Sequence, residues 1–163
     1  MTPLLDLKGI VKTFPSVRAL DGIDFTLLPG EVHVLLGQNG AGKSTLMKIL
    51  GGIQSHDGGT LAIQGQTIAT VTPEVAAANG IALVHQELCL VPSLSIAENI
   101  LLGRMPRRAG GMIDWPKAER IASDTLGRLG VSLDPRRPVG TLEVAGQQIV
   151  EIAKALARDP RII

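Results

Sequence analysis

Gly37-Gln38-Asn39-Gly40-Ala41-Gly42-Lys43-Ser44-Thr45 fits G-x-x-x-x-G-K-[ST], a loop whose backbone amides cradle phosphate groups. Gly37, Gly40 and Gly42 are expected to take positive φ, which lets backbone approach a ligand closely. Amides turned inward in this way form an anion nest. Lys43 is placed to reach the outer phosphates, and Ser44 to hold Mg²⁺. A helix starting near Gly42 directs its positive end at the same phosphates. The flanks agree with this reading. Residues 31–36 read as a buried strand, and residues 43–50 as a helix stopped by Gly51-Gly52. The competing explanation, a glycine-rich turn that matches by accident, accounts for neither flank.

Composition narrows the class. A chain of 163 residues has room for a substantial core. Apolar residues make up 45%, yet the aromatics are only Phe14, Phe25 and Trp115, so the core must be aliphatic and alanine-rich. A net charge of +1 favours neither a nucleic-acid footprint nor a polybasic membrane patch. Cys89 stands alone, which excludes an internal disulfide framework and fits a reducing compartment. No Cys/His pattern surrounds it, so a packing or loop role is the better reading. The N-terminal residues lack the basic-then-apolar pattern of a signal peptide, and no apolar run is long enough to span a bilayer.

Local signals order the rest of the chain. Leu5, Leu7 and Ile10-Val11 suggest a first strand, broken at Phe14-Pro15-Ser16 with an exposed aromatic. Ile23, Phe25 and Leu27 alternate as in a half-buried strand. Pro29-Gly30 then turns into residues 31–36, which predicts an antiparallel region before the loop. His56-Asp57-Gly58-Gly59 reads as a loop, and residues 60–68 as a hairpin about Gln64-Gly65-Gln66. Thr72-Pro73 caps a helix through Asn79 that Gly80 stops. Residues 81–84 read as a fully buried strand delivering His85-Gln86-Glu87 at its C-terminal end, where ligands bind in open α/β sheets. Ser95-Ile96-Ala97-Glu98 is a capping box whose helix ends at Gly103. Residues 104–111 read as a mobile basic loop. Asp114-Trp115-Pro116 opens a helix with Ala118, Ile121, Ala122, Thr125, Leu126 and Leu129 on one face. A last helix over 147–158 puts Ile149, Ile152, Ala153 and Leu156 toward the core, and Asp159-Pro160 ends it. Arg161-Ile162-Ile163 reads as the opening of a strand.

Taken together, these stretches resemble an ABC-type ATPase. The resemblance rests on Lys12-Thr13-Phe14 with Ala19-Leu20, the loop at 37–45, the strand ending in Gln86, and Leu142 leading into the helix from Gln147 to Leu156. Within that family, Val84-His85-Gln86-Glu87, Ser95-Ile96-Ala97-Glu98-Asn99-Ile100 and the run from Val150 to Leu156 resemble the ATP-binding subunits of importers for ribose, galactose, xylose and arabinose. The resemblance implies an α/β P-loop NTPase fold with an N-terminal antiparallel β portion and a helical insert. It places the β portion and P-loop core at 1–86, the insert at 87–145, and a return helix with the start of the next strand at 146–163.

It also implies roles. ATP and Mg²⁺ are the cofactors. Gly37, Gln38, Asn39, Gly40, Ala41, Gly42, Lys43, Ser44 and Thr45 hold phosphate, Phe14 stacks on adenine, and Ser44 and Gln86 approach the metal. Gln86 and Lys43 serve the reaction, with Gln86 also touching the attacking water and sensing the partner. The plainer alternatives are a turn aromatic at Phe14 and a solvated strand-end residue at Gln86. His33, His56 and His85 carry no role, and Trp115 reads as a helix-start packing residue. The implied partners are membrane-spanning permease subunits, a second nucleotide-binding domain and, indirectly, a periplasmic sugar-binding protein, with no nucleic acid. The implied location is peripheral, on the cytoplasmic face of the inner membrane.

The sequence departs from the family in two places. The Leu-Ser-Gly-Gly-Gln signature falls on Leu142-Glu143-Val144-Ala145-Gly146, so Glu143 stands where the family places a serine that bonds the γ-phosphate of the opposing subunit. The chain also stops at Ile163, where the family continues into an apolar strand ending in Asp-Glu. Phosphoryl transfer needs a positioned water as well as bound phosphate. The chain by itself is therefore expected to bind nucleotide and to hydrolyse it poorly or not at all, and to expose a sheet edge prone to self-association. Two rivals follow: a nucleotide-binding module without turnover, and a soluble ABC-type ATPase unconnected with transport.

Overall fold

The computed structural model describes residues 2–163. These fall into two compact units, residues 2–81 with Ile162, and residues 82–161 with Ile163.

The first unit is built on an antiparallel sheet. β1 (Leu5–Phe14) pairs with β2 (Val17–Leu27) on one side and β3 (Gly58–Ile63) on the other, and β3 pairs with β4 (Gln66–Thr67), giving the order β2-β1-β3-β4. The antiparallel region is present, but β2 takes β1 as its partner across the turn at Pro15-Ser16, not residues 31–36. Gly58 and Gly59 belong to β3, not to a preceding loop. The core face of β1 carries Leu5, Leu7, Ile10 and Lys12. That series changes phase after Leu7, because a strict period of two would bury residue 9. A bulge makes the change: the register shifts between Lys8 and Val11, with Gly9 at φ 60° and Gly59, across on β3, at φ 90°. A Cβ on Gly59 would lie 2.5 Å from the carbonyl oxygen of Gly9, so the crossing needs glycine. Asp24 Oδ1 accepts the freed Gly9 N–H at 2.6 Å. Leu7, Ile10 and Leu61 are fully buried in the resulting core, each worth about 1.5–3 kcal/mol of transfer free energy.

Helix α1 (Lys43–Leu50) lays Leu46, Ile49 and Leu50 on this core. Helix α2 (Pro73–Ala78) begins at its predicted cap, with Thr72 Oγ1 accepting from Val75 N at 3.3 Å. Two expected strands do not form. Residues 31–36 have no strand pairing among the described residues, and Val32, Val34 and Leu36 are 91%, 73% and 88% exposed. Of residues 81–84, only Ile81 makes a bridge, parallel to Ile162, and Val84 is exposed. Both expectations fail for one reason: an apolar run has strand-forming composition, but a strand exists only where a neighbour pairs with it.

The second unit is helical. Helices α3 (Ile96–Ile100), α4 (Trp115–Arg128) and α5 (Val144–Leu156) pack on one another around Ile96, Ile100, Leu126, Val139 and Val150. The capping box forms as read, with Ser95 Oγ accepting from Glu98 N at 3.2 Å and Glu98 Oε2 accepting from Ser95 N at 2.8 Å. The helix is shorter than expected and ends at Ile100, not Gly103. Asp114 caps α4 through Lys117 N at 3.2 Å. Helix α5 starts three residues before the expected Gln147, and its buried face is Val150, Glu151, Ala153 and Ala155, while Ile152 points outward. Residues 104–111 are tied down rather than loose. Arg107 bridges Ile113 antiparallel, Arg108 N donates to Met112 O at 2.8 Å, and Arg107 Nη1 donates to Gly111 O at 2.6 Å.

Candidate phosphate-binding site

The glycine loop leads directly into α1. Gly40 and Gly42 take φ 86° and 82°, the conformations expected of them, whereas Gly37 keeps a negative φ. The loop turns at Ala41, whose N–H donates to Gln38 O at 3.1 Å, so Gly37 need not invert. A Cβ on Gly37 would still crowd Ala41 Cβ at 3.1 Å and come within 3.9 Å of Lys43 Nζ. Gly42 is buried against β2. Residues 37–41 and Ser44 are exposed, and Thr45 is half-buried.

The start of α1 suits an anion. Gly42 is its N-cap and offers no side-chain cap, and no acidic residue occupies the first turn. The first N–H groups of a helix have no intrahelical acceptor, and the helix dipole adds positive potential there. The Lys43 ammonium donates to the carbonyls of Gly37 at 2.6 Å and Gln38 at 2.8 Å. Its charge is thus held over the loop by two neutral acceptors, and among the described residues no carboxylate pairs with it. Phosphate oxygens would be stronger acceptors for the same donors. The arrangement fits a polyphosphate.

Phe14 closes β1 at the same end of the sheet. Lys12 pairs with Leu20 in the β1–β2 register, and Leu20 is one of the two residues against which Gly42 packs. Phe14 lies two residues further along and is half-buried. Sequence reasoning missed what stands behind it. Lys12, only 7% exposed, donates to Asp57 Oδ1 at 2.7 Å, and its Nζ sits 5.8 Å from the centroid of the Phe14 ring. Asp57 Oδ2 accepts from Thr13 N at 2.8 Å. The Lys12 ammonium, and then the Thr13 amide, hold the Asp57 carboxyl below its ordinary pKa. Only the pairing of β1 with β3 brings these residues together, so no local pattern announces them.

Gln86 belongs to the second unit, where it is exposed on an irregular stretch. Lys154 of α5 anchors that stretch by donating to Cys89 O at 2.7 Å. Lys154 Nζ also lies 3.5 Å from Oε1 of Glu151, whose buried Oε2 has no hydrogen-bond partner among the described residues. Cys89 is exposed and unpaired. Glu143 is the exposed N-cap of α5, and its side chain makes no cap bond. Among the described residues no group of three or more His, Cys, Asp or Glu could hold a metal ion, and no helix is long and apolar enough to cross a membrane.

The ABC transporter family matches residues 20–163, from β2 through the glycine loop to Ile163. The chain belongs to that family. Among curated ABC relatives, a ribose import ATP-binding protein of Rubrobacter xylanophilus is 53% identical over the whole chain. A putative ribose/galactose/methyl galactoside import ATP-binding protein of Rhizobium meliloti is 50% identical, also over the whole chain. In each case the chain spans 32% of the relative's length. Among solved structures, a nucleotide-free ATP-binding cassette from an ABC transporter superposes with a TM-score of 0.79 at 28% identity, over 97% of this chain and 66% of that one. An ABC cassette in its ADP conformation gives 0.81 at 26% identity, over 98% and 66%.

Proposed function

We propose that this chain is the N-terminal part of the first nucleotide-binding domain in an ATP-driven sugar importer, where ATP binding and hydrolysis energise transport through a membrane permease. The observation that carries the proposal is the Lys43 ammonium held by neutral carbonyls over an uncapped helix start. In this reading the amides of residues 37–45 and the Lys43 ammonium bind the ATP phosphates, and Phe14 stacks on the adenine. Ser44 and Gln86 offer oxygens to Mg²⁺, which when bound supplies positive charge against the phosphate oxygens. Gln86 orients the attacking water, and its exposed stretch answers to the partner. The import functions printed for the relatives support the sugar class. A permease, a second nucleotide-binding domain and a peripheral position at the cytoplasmic face of the membrane follow from that class.

Titration calorimetry with Mg-ATP on the full-length protein tests the reading. Lys43→Ala should lower affinity by about tenfold or more, as expected for loss of a charge-assisted contact worth roughly 1.5–3 kcal/mol. Equal heats from the parent and the variant would overturn it.

A further inference from the structure

We propose that Lys12 and Asp57 are positioning residues that set the Phe14 ring for stacking on a nucleotide base. This rests on the reading of Phe14 as the base-stacking residue. Three contacts converge just before the ring. Asp57 N donates to Val11 O at 2.8 Å, Thr13 N donates to Asp57 Oδ2 at 2.8 Å, and Lys12 Nζ donates to Asp57 Oδ1 at 2.7 Å. The backbone on both sides of Lys12 is therefore pinned to one residue of the segment entering β3, and Phe14 follows directly.

The same salt bridge fixes the ammonium over the ring, 5.8 Å from its centroid. A lysine this buried would be costly without its carboxylate, so Asp57 is what keeps the charge there. The charge has two effects on the ring. It restrains the plane, because a cation is attracted to an aromatic face. It also draws π-density toward itself, which lessens the repulsion a second π-system meets on stacking. Both effects act on the base and neither reaches the phosphates.

That difference supplies the test. Calorimetry on the full-length protein with Mg²⁺ compares ATP with inorganic tripolyphosphate, which has no base, for Phe14→Ala, Lys12→Met, Lys12→Arg and Asp57→Asn. Lys12→Met and Asp57→Asn should each weaken ATP about three- to tenfold while leaving tripolyphosphate within about twofold, and Lys12→Arg should restore most of the ATP affinity. Equal losses for both ligands would show that the pair acts only through the fold and would overturn the proposal. If Phe14→Ala lowers the preference for ATP and the other variants do not, the proposal falls while the stacking reading stands. If Phe14→Ala leaves the preference untouched, the stacking reading falls and takes the proposal with it. Asp57→Asn keeps the size of the side chain, so it carries the test even if Lys12→Met does not fold.

Discussion

Gly42 packs against Ala19 so closely that a Cβ on Gly42 would stand 2.4 Å from the Ala19 carbonyl oxygen. The N-cap of the phosphate-binding helix is therefore seated on the backbone of β2, and a main chain cannot swing aside as a side chain can. Gly42→Ala should destabilise the first unit by about 2 kcal/mol or more, through left-handed strain together with overpacking. Mg-ATP affinity should fall with it. Thermal unfolding and nucleotide titration of the purified variant check this, and an unshifted melt would show that α1 can move off β2.

Asn99 makes a comparable demand in the second unit. It is fully buried. Its Oδ1 accepts from Val91 N at 2.8 Å, and its Nδ2 donates to the carbonyls of Val91, Leu94 and Ser95 at 3.1, 3.2 and 3.0 Å. Asn99→Ala strands the Val91 amide and takes one donor from three carbonyls, each of which keeps a backbone N–H from Leu94, Val139 or residue 99 itself. Chemical denaturation should show a loss of about 1–3 kcal/mol, and amide exchange should rise first over residues 91–95.

How far these features could be read in advance follows from their range. Thr72, Ser95 with Glu98, and Asp114 announce their helices because a cap is satisfied within three residues. The glycine loop is legible for the same reason. Residues 31–36 and 81–84 carry strand-like composition, but burial depends on partners that composition does not name. On α5 the expected face, Ile149, Ile152, Ala153 and Leu156, includes neither of the charged residues Glu151 and Lys154. Glu151 is buried, however, and Lys154 is committed to Cys89, 65 positions away. Lys12 and Asp57 lie 45 positions apart and meet only through the sheet.

Acid should probe that meeting directly. Asp57 ionises more readily in the folded protein, because the Lys12 ammonium and then the Thr13 amide favour its carboxylate. A carboxyl whose folded pKa is depressed contributes stability that is full above its unfolded value. That contribution is lost as pH falls through the folded value. The parent protein should therefore lose stability more steeply below about pH 4 than Asp57→Asn does. Thermal melts of both proteins between neutral and acid pH would show the two curves converging as pH falls, and parallel curves would refute the linkage.

Glu143 offers a gain of function. As the N-cap of α5 it makes no side-chain bond to the first turn, whereas serine at such a position is worth about 1 kcal/mol. In the proposed role its carboxylate would also face a γ-phosphate held by an opposing domain, and like charges near 4 Å repel by roughly 4 kcal/mol at an effective dielectric of about 20. Glu143→Ser should raise the melting temperature of the isolated chain and the ATP turnover of the full-length protein. A higher melting temperature with unchanged turnover would place Glu143 outside the reaction.

The extra residue absorbed where Gly9 crosses Gly59 keeps the two halves of β1 on one face of the sheet. Were the strand to run through Gly9 as a regular pleat, with no residue set aside there, the inward and outward positions beyond it would trade places. Ile10 would face water, and the lysine that now reaches Asp57 would swing to the opposite side of the sheet. A side chain that straightened this short kink would thus disconnect the aromatic at the far end of the strand, although it touched neither.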